Sequence, residues 1–265
     1  MAITTLDQYI AAASQCVQIL KTGSVTAIAL MNTQVLQAAG NPGAGTLAGT
    51  NTANGLVPTD ADAGFPAINT FGGRATGYMS NITFGNTVAS RIKLFDCLFK
   101  AGAYAFNANT TLASQPSYSG RVIGGTDFTS TEIWIEAVTA FTGNQSIAVT
   151  YTNQSGTAAR TTGTIATGVA PIVGRMLQLP LQAGDSGVQK IESVVSTVST
   201  VGTFNVLVLR RLWSGRVLVA NSGDIHDFLK TGMPQIFDNS ALMAIVQPDS
   251  TATGIFELVA EIVNG

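Results

Sequence analysis

Short apolar runs alternate with small polar residues from about residue 76 to the end of the chain. In SIAVTYTNQSGTAARTTGTI, residues 146–165, this alternation places Ile147, Val149 and Tyr151 on one side of a strand and small Ala and Thr side chains on the other. About ten runs of strand length follow the pattern, with turn residues between them. The sequence therefore predicts a mainly β chain, folded as an antiparallel, jelly-roll-like β-sandwich.

Two segments fit either a strand or a short helix. They are LFDCLFKAGAYAF, residues 94–106, and IHDFLKTGMPQIF, residues 225–237. Both are short apolar runs, for which periodicity alone does not separate the two structures. We leave both alternatives open at this stage.

The N-terminal residues follow a different period. Over residues 5–22, apolar side chains recur at the spacing of one helix face, Thr5 is suited to cap the first turn, and Gly23 is suited to end the last. The apolar positions are Leu6, Tyr9, Ile10, Ala13, Val17 and Leu20. We predict an N-terminal helix over residues 5–22, followed by an ambiguous stretch to residue 40.

Residues 41–66 are rich in Gly, Ala, Thr, Asn and Pro and have few large apolar side chains. Such a segment cannot build a core of its own, and a structureless stretch of this length is unusual inside a compact domain. We therefore predict an extended arm that orders against another surface. The predicted organisation is a helix and arm over residues 1–70 and a β-sandwich over residues 71–265.

Charged residues are sparse in this chain. Asp, Glu, Lys and Arg make up 11% of the sequence, against about 25% in ordinary soluble domains, while 46% is hydrophobic and the mean hydropathy is +0.31. A surface with so little like-charge repulsion favours close association with other subunits. The net charge of -2 and the absence of a basic cluster argue against direct nucleic-acid binding.

The start, MAITTLDQY, lacks the basic and apolar regions of a secretion signal. No apolar run reaches the roughly 18 residues that a membrane span needs, so we expect no membrane partner. The two cysteines, Cys16 and Cys97, are too few for a disulfide scaffold or a zinc cluster. We expect both to be free, buried thiols.

Glu132, Trp134 and Glu136 share one side of a predicted strand and suggest a sugar-binding or glycosidase site. At ~3.3 Å per residue the two glutamates lie about 13 Å apart, which is poorly suited to either glycosidase geometry. We favour a solvated outer face, on which Trp134 covers the sheet or contacts another subunit. No catalytic residue and no cofactor are predicted.

His226 is the only histidine and has Asp224 and Asp227 beside it. A metal site or a catalytic base is one interpretation. No cysteine or second histidine lies at a metal-binding spacing, and no G-x-S-x-G nucleophile motif is present. We therefore favour a surface or loop histidine and predict no metal ligands.

Arginine and tryptophan cluster in the stretch LRRLWSGR, residues 209–216. These residue types are enriched in the hot spots of protein interfaces. The predicted interface residues are Trp134, Arg210, Arg211, Trp213 and Arg216. The alternative is a strand edge protected by charge.

Several segments together resemble an uncharacterised group of tailed-bacteriophage virion structural proteins. They are the opening MAITTLDQYIAA, the glycine-rich AAGNPGAGTLAGT, LFDCLFKAGAY, VTYTNQSGTAARTT, GRMLQLPLQAGDSGVQKIESV and NVLVLRRL. The resemblance covers most of the chain and carries no catalytic motif, so no functional residue is transferred from it. It implies a protein present in many copies in an assembled particle, as a capsid decoration or cement protein or as a tail or neck component.

These observations predict a non-enzymatic virion protein, synthesised in the bacterial cytoplasm. The expected partners are the major capsid protein or other virion proteins, and copies of itself in a homo-oligomer such as a trimer. We expect residues 1–70 to order across neighbouring subunits and clamp them. A glycan-binding host-recognition protein that uses Trp134 is the alternative.

Overall fold

The computed structural model describes residues 4–12, 14–46, 51–72, 76–106, 109–144, 146–166, 172–196 and 201–264. In these ranges eighteen strands form three sheets in which every strand pair is antiparallel, and the helices are short. The predicted mainly β, antiparallel sandwich architecture is confirmed. Residues 1–3, 13 and 47–50 of the predicted helix and arm lie outside the described residues.

The helices and strands have the following bounds. The helices are α1 (Leu6–Ala11), α2 (Phe228–Thr231) and a 3-10 turn at Ser119–Arg121. The first nine strands are β1 (Ser14–Lys21), β2 (Thr33–Gln34), β3 (Gly40–Asn41), β4 (Asn51–Leu56), β5 (Thr76–Asn86), β6 (Ser90–Ala105), β7 (Asn109–Thr111), β8 (Thr131–Ala137) and β9 (Ser146–Asn153). The others are β10 (Arg160–Thr161), β11 (Ile165–Ala166), β12 (Met176–Leu179), β13 (Val188–Ser196), β14 (Thr203–Val217), β15 (Ser222–His226), β16 (Gln235–Phe237), β17 (Leu242–Pro248) and β18 (Phe256–Asn264).

The predicted N-terminal helix is present but much shorter than expected. It ends at Ala11, and the residues predicted as its second half form β1, which pairs with β18. The capping prediction is confirmed, because the Thr5 hydroxyl accepts a hydrogen bond from the Gln8 backbone N–H at 3.2 Å and the Gln8 side chain bonds back to the Thr5 N–H. In β1, Val17 and Ile19 are buried while intervening side chains are partly exposed. This is the period of a strand.

The two segments that fit either a strand or a short helix have different structures. Residues 94–106 lie almost entirely in the long strand β6, whereas residues 225–237 contain both the short helix α2 and the strand β16. Both cysteines are free, as expected. Cys97 is buried in β6, but Cys16 is exposed in β1, so the prediction that both thiols are buried is wrong for Cys16.

The strands pair into three sheets, which are numbered I to III. Sheet I has the order β15-β5-β18-β1-β3, with β16 also pairing with β5. Sheet II has the order β12-β8-β14-β6-β17-β2, with β4 also pairing with β6. Sheet III has the order β10-β9-β13-β7, with β11 also pairing with β9.

Sheet II is the centre of the fold, because residues on both of its faces belong to core clusters. On one face, residues such as Leu94 and Ala244 join a core with sheet I, while Ile133 and Val208 join a core with sheet III. Val208 is directly opposite Ile133, and Ala244 is directly opposite Leu94. Directly opposed residues share a face, and the pairing of β14 with β6 places these four residues on the same face of the sheet. The long strands β6 and β14 thus connect two sandwiches.

The opposite face of sheet II is covered by the segment predicted as an arm. Leu36 and Phe65 are buried there in one cluster with Trp134, Phe95 and other residues of the sheet. Strands β1 to β4, all before residue 70, pair with β18, β17, β1 and β6 respectively. The described part of residues 14–70 therefore orders on its own chain.

The glycine-rich composition allows this segment to lie close to the sheet. A Cβ atom on Gly55 would lie 2.1 Å from a ring carbon of Phe99, and one on Gly64 would lie 2.7 Å from the Cα of Gly45. Gly55 and Gly64 also have φ values of 69° and 95°, which favour glycine. The glycines serve close packing of the segment on its own chain.

Candidate interaction surface

Trp134, one of the five predicted interface residues, is fully buried. Its ring packs edge-on against Phe95 at a centroid distance of 5.7 Å, and its Nε1 donates a hydrogen bond to Glu132 Oε2 at 2.8 Å. The sequence correctly places Trp134 on one face with Glu132 and Glu136, but that face is covered by Leu36 and Phe65 rather than solvated. Trp134 has no surface to offer to a glycan or a partner.

Both glutamates are engaged in structural contacts. Glu132 pairs with Arg211 at 2.7 Å, and the fully buried Glu136 accepts a hydrogen bond from Asn205 at 2.7 Å and pairs with Lys100 at 3.3 Å. Lys100 in turn donates to the backbone oxygen of Thr46. Glu136 therefore helps to hold the N-terminal segment on sheet II.

Arg210, the second predicted interface residue, is also buried. It contacts Asp96 at 3.2 Å and belongs to a charged cluster in which Arg121 also bonds to Asp96. The Ser240 hydroxyl and the Ala241 backbone N–H donate to the same carboxylate at 2.8 Å and 3.0 Å. Burial acts to raise the pKa of Asp96, but the charges and hydrogen bonds of this cluster outweigh it and hold that pKa below its usual range.

Trp213 is buried beside the only histidine. Its Nε1 donates to His226 Nδ1 at 3.0 Å, and Phe84 packs edge-on against both rings. His226 Nε2 lies 3.5 Å from Asp224, so both ring nitrogens have neighbours. His226 is partly buried and lies at the end of β15, so it is a strand residue and not the surface or loop histidine that the sequence favoured.

Arg211 and Arg216 are the two predicted interface residues that are exposed. Both lie on the face of sheet II that carries Trp134 and Phe95, which we call its outer face, since Arg211 is directly opposite Phe95 and Arg216 directly opposite Arg91. Of the predicted cluster, these two arginines alone can contact a partner or ligand in this conformation.

An exposed apolar patch lies where α1 meets α2, and we call it the α patch. It consists of Leu6, Ile10, Phe228 and Leu229, whose exposed fractions are 65%, 71%, 41% and 78%. The two helices touch through Tyr9 and Phe228, whose rings are 5.9 Å apart. The sequence placed Leu6 and Ile10 on one helix face, and the structure leaves both side chains exposed.

The outer face of sheet III carries mainly small polar side chains where β9 crosses it, as predicted for residues 146–165, with the charged Lys190 and Glu192 beside Thr152. Ile147, Val149 and Tyr151 are fully buried, as predicted, and the alternate side chains of β9 are partly exposed. A row of hydroxyl side chains crosses four strands of this face: Thr111, Ser193, Thr150 and Thr161. The predicted small polar face is therefore present in the fold.

Within the described ranges, no three His, Cys, Asp or Glu side chains are grouped so that they could hold a metal ion. None of the helices in the part of the chain that the structure covers is long and apolar enough to span a membrane.

No known protein family matches this sequence, and no curated protein matches it. Among solved structures, a weak similarity relates the chain to the VP2 subviral particle of infectious bursal disease virus, with 9% identity, a TM-score of 0.18, and coverage of 96% of this chain and 80% of that chain. The structure of the Gx strain of the same virus gives 9% identity, a TM-score of 0.17 and coverage of 95% and 80%. TM-scores this low establish no shared fold and give no support to any function.

Proposed function

We propose that this chain is a non-enzymatic virion structural protein that decorates a bacteriophage capsid and contacts the major capsid protein and copies of itself. The observation that carries the proposal is the α patch, in which Leu6, Ile10, Phe228 and Leu229 are exposed together. Large apolar side chains exposed on two touching elements are a feature of interaction surfaces. The sequence resemblance to virion structural proteins is the reason for placing this contact in a phage particle.

The contact that we propose differs from the arm expected from sequence. Most of residues 14–70 pack on the chain's own sheets, so they are not available to clamp neighbouring subunits. Helix α1 has no buried residue, and its Leu6 and Ile10 side chains point away from the core. We therefore assign the subunit contact to α1 and α2.

The low charge of the surface supports the same function. With 13 cationic and 15 anionic residues in 265, few ionic groups need to be desolvated when two copies or a copy and a shell come together. Many weak apolar contacts in one particle add to a strong attachment without a single tight site. Many weak apolar contacts of this kind suit a protein that decorates a shell in many copies.

Two alternatives differ in what they require. A tail or neck component is the nearest one, and it requires a ring of copies at the portal rather than copies spread over the shell. A glycan-binding host-recognition protein is less well supported, because the aromatic residue proposed for it, Trp134, is buried.

The test is attachment to particles by paired variants of α1. Ile10→Asp places a charge in the α patch, and because Ile10 is 71% exposed the fold should be retained. Burial of one Ile side chain contributes roughly 1.5–3 kcal/mol, so attachment to purified shells should weaken about tenfold or more. Ala11→Asp is the matched control, since it places the same charge on the exposed end of the same helix.

Co-sedimentation with shells measures the attachment, and imaging of the virion locates the chain. Equal binding by Ile10→Asp and wild type would overturn the assignment of the contact to α1 and α2. Density for this chain in a ring below the portal would overturn decoration in favour of a neck component.

A further inference from the structure

A basic cleft lies on the outer face of sheet II, at the end where β6 begins and β14 ends. Arg91 is directly opposite Arg216, and Lys93 is directly opposite Ser214. These residues, with Gly215, Leu218 and His226, line a depression of about 460 Å³. That volume falls within the range of small-ligand sites, about 300–1,000 Å³.

Like charges face each other in this cleft. Arg91 and Arg216 form a directly opposed cross-strand pair, whose Cβ atoms are typically about 4.5–5.5 Å apart. Such a like-charge pair is destabilising unless a negative group lies between the two side chains. Arg91 approaches Asp249 at 3.7 Å, a distant and solvent-exposed contact of small energetic value.

Arg216 has no acidic partner. In the described residues it makes no ion pair, and its side chain is exposed. The residues that line the cleft include no carboxylate, and the acidic groups that contact its neighbours have other partners: Glu132 pairs with Arg211 at 2.7 Å, and Asp224 lies 3.5 Å from His226. The cleft therefore keeps an excess of positive charge in a protein whose net charge is -2.

Lys93 adds to this excess from a partly buried position. Its ammonium donates to Asn32 Oδ1 at 2.8 Å and lies 5.7 Å from the centre of the Trp134 ring. Burial lowers the pKa of Lys93, and the neighbouring positive charge of Arg211 lowers it further. A bound anion would relieve this unfavourable crowding of cations.

We propose that this cleft binds an oxyanion, held between the Arg91 and Arg216 guanidinium groups. Each guanidinium offers a planar fork of N–H donors that matches phosphate, sulfate or carboxylate oxygens. One oxyanion can accept from both forks because the two arginines are opposed on adjacent strands. The cleft shares no lining residue with the α patch, so this inference does not depend on the proposed function.

The shared chemistry has two sources that experiment can separate: a free inorganic oxyanion, or the carboxylate of an acidic sugar. The probes are inorganic phosphate and glucuronate, with glucose as the uncharged match for glucuronate. Each is titrated into ¹⁵N-labelled protein at constant, low ionic strength. We expect saturable shifts of the backbone amides of Gly215 and Arg216 with phosphate, with glucuronate or with both, and none with glucose.

Paired variants assign the binding to the cleft. Arg216→Ala removes one fork and should weaken binding about tenfold or more, as expected for a lost charge-assisted hydrogen bond. Lys190→Ala removes the same charge from an exposed position on sheet III and should leave binding unchanged. Both variants alter exposed side chains, so both should fold.

A third variant separates the electrostatic argument from folding defects. Arg216→Glu places a carboxylate opposite Arg91, and it should abolish phosphate binding while raising the midpoint of thermal unfolding. Stronger binding by glucuronate than by phosphate would identify the sugar as the source, and equal or stronger binding by phosphate would identify the free oxyanion. Failure of both probes to saturate, or equal affinity of wild type and Arg216→Ala for the probe that does saturate, would overturn the proposal.

Discussion

At the scale of single residues, Asp96 is a buried charge that is held by four partners. Its carboxylate is fully buried and contacts Arg121, Arg210, Ser240 and the backbone of Ala241. The register places Asp96 opposite Leu242 of the core with sheet I, and Arg210 opposite Thr131, two residues from Ile133 of the core with sheet III. The cluster lies where the two sandwiches meet on sheet II.

Replacement of Asp96 by Asn should therefore destabilise the whole fold. The change leaves Arg121 and Arg210 buried without a counter-charge, and the loss of one partner from a buried ion pair costs about 3–5 kcal/mol. Urea unfolding of Asp96→Asn measures the loss. Asp249→Asn is the control, because it removes a carboxylate from the exposed pair with Arg91 and should cost less than about 1 kcal/mol. Equal effects of the two changes would contradict this role of Asp96.

Trp134 shows what a residue pattern predicts and what it leaves open. The alternation of Glu132, Ile133, Trp134, Ile135 and Glu136 correctly divides the strand into two faces. It does not reveal which face meets solvent, because Leu36 and Phe65 come from nearly 70 to 100 residues earlier. The covering of the Trp134 face is a long-range packing event, for which a single strand carries no signal.

At the scale of elements, the N-terminal segment contains both the correct and the incorrect part of the helix prediction. Leu6, Tyr9 and Ile10 have helical spacing and lie on or beside α1, which Thr5 caps. Val17 fits the same helical period but also a strand period with Ile19, and pairing with β18 selects the strand. Tertiary pairing decides the structure wherever two periods fit one sequence.

The same segment leads to a prediction about truncation. Deletion of residues 1–66 removes β1 to β4 and uncovers Trp134 and its neighbours on sheet II, so the remaining chain should fail to fold. Deletion of residues 1–12 removes only α1, which buries no side chain, and should leave a folded body. Dispersion of the amide signals in NMR spectra distinguishes the two results. A well-dispersed spectrum from the longer deletion would show that the segment is dispensable for the sandwich.

At the scale of the whole molecule, composition predicts association but does not indicate which surface remains apolar. The low charge content is spread over the chain, whereas the large exposed apolar side chains of the α patch are brought together by contact between α1 and α2. These helices are more than 200 residues apart in sequence. Contact between the two helices therefore locates the apolar surface, which composition alone does not.

An apolar subunit contact and an ionic one should respond differently to salt. The Debye length is about 10 Å at 0.1 M salt, so added salt weakens the attraction between exposed charges. Sodium chloride does not weaken apolar burial in this way. If the α patch carries the subunit contact, attachment to shells should be unchanged or stronger as sodium chloride rises from about 0.05 M to about 0.5 M. It should also weaken on cooling, because hydrophobic stabilisation decreases at low temperature. Sedimentation at the two salt concentrations and at two temperatures measures both effects. Loss of attachment at the higher salt concentration would instead assign the contact to exposed charges, of which Arg211 and Arg216 on the outer face of sheet II are the first to substitute.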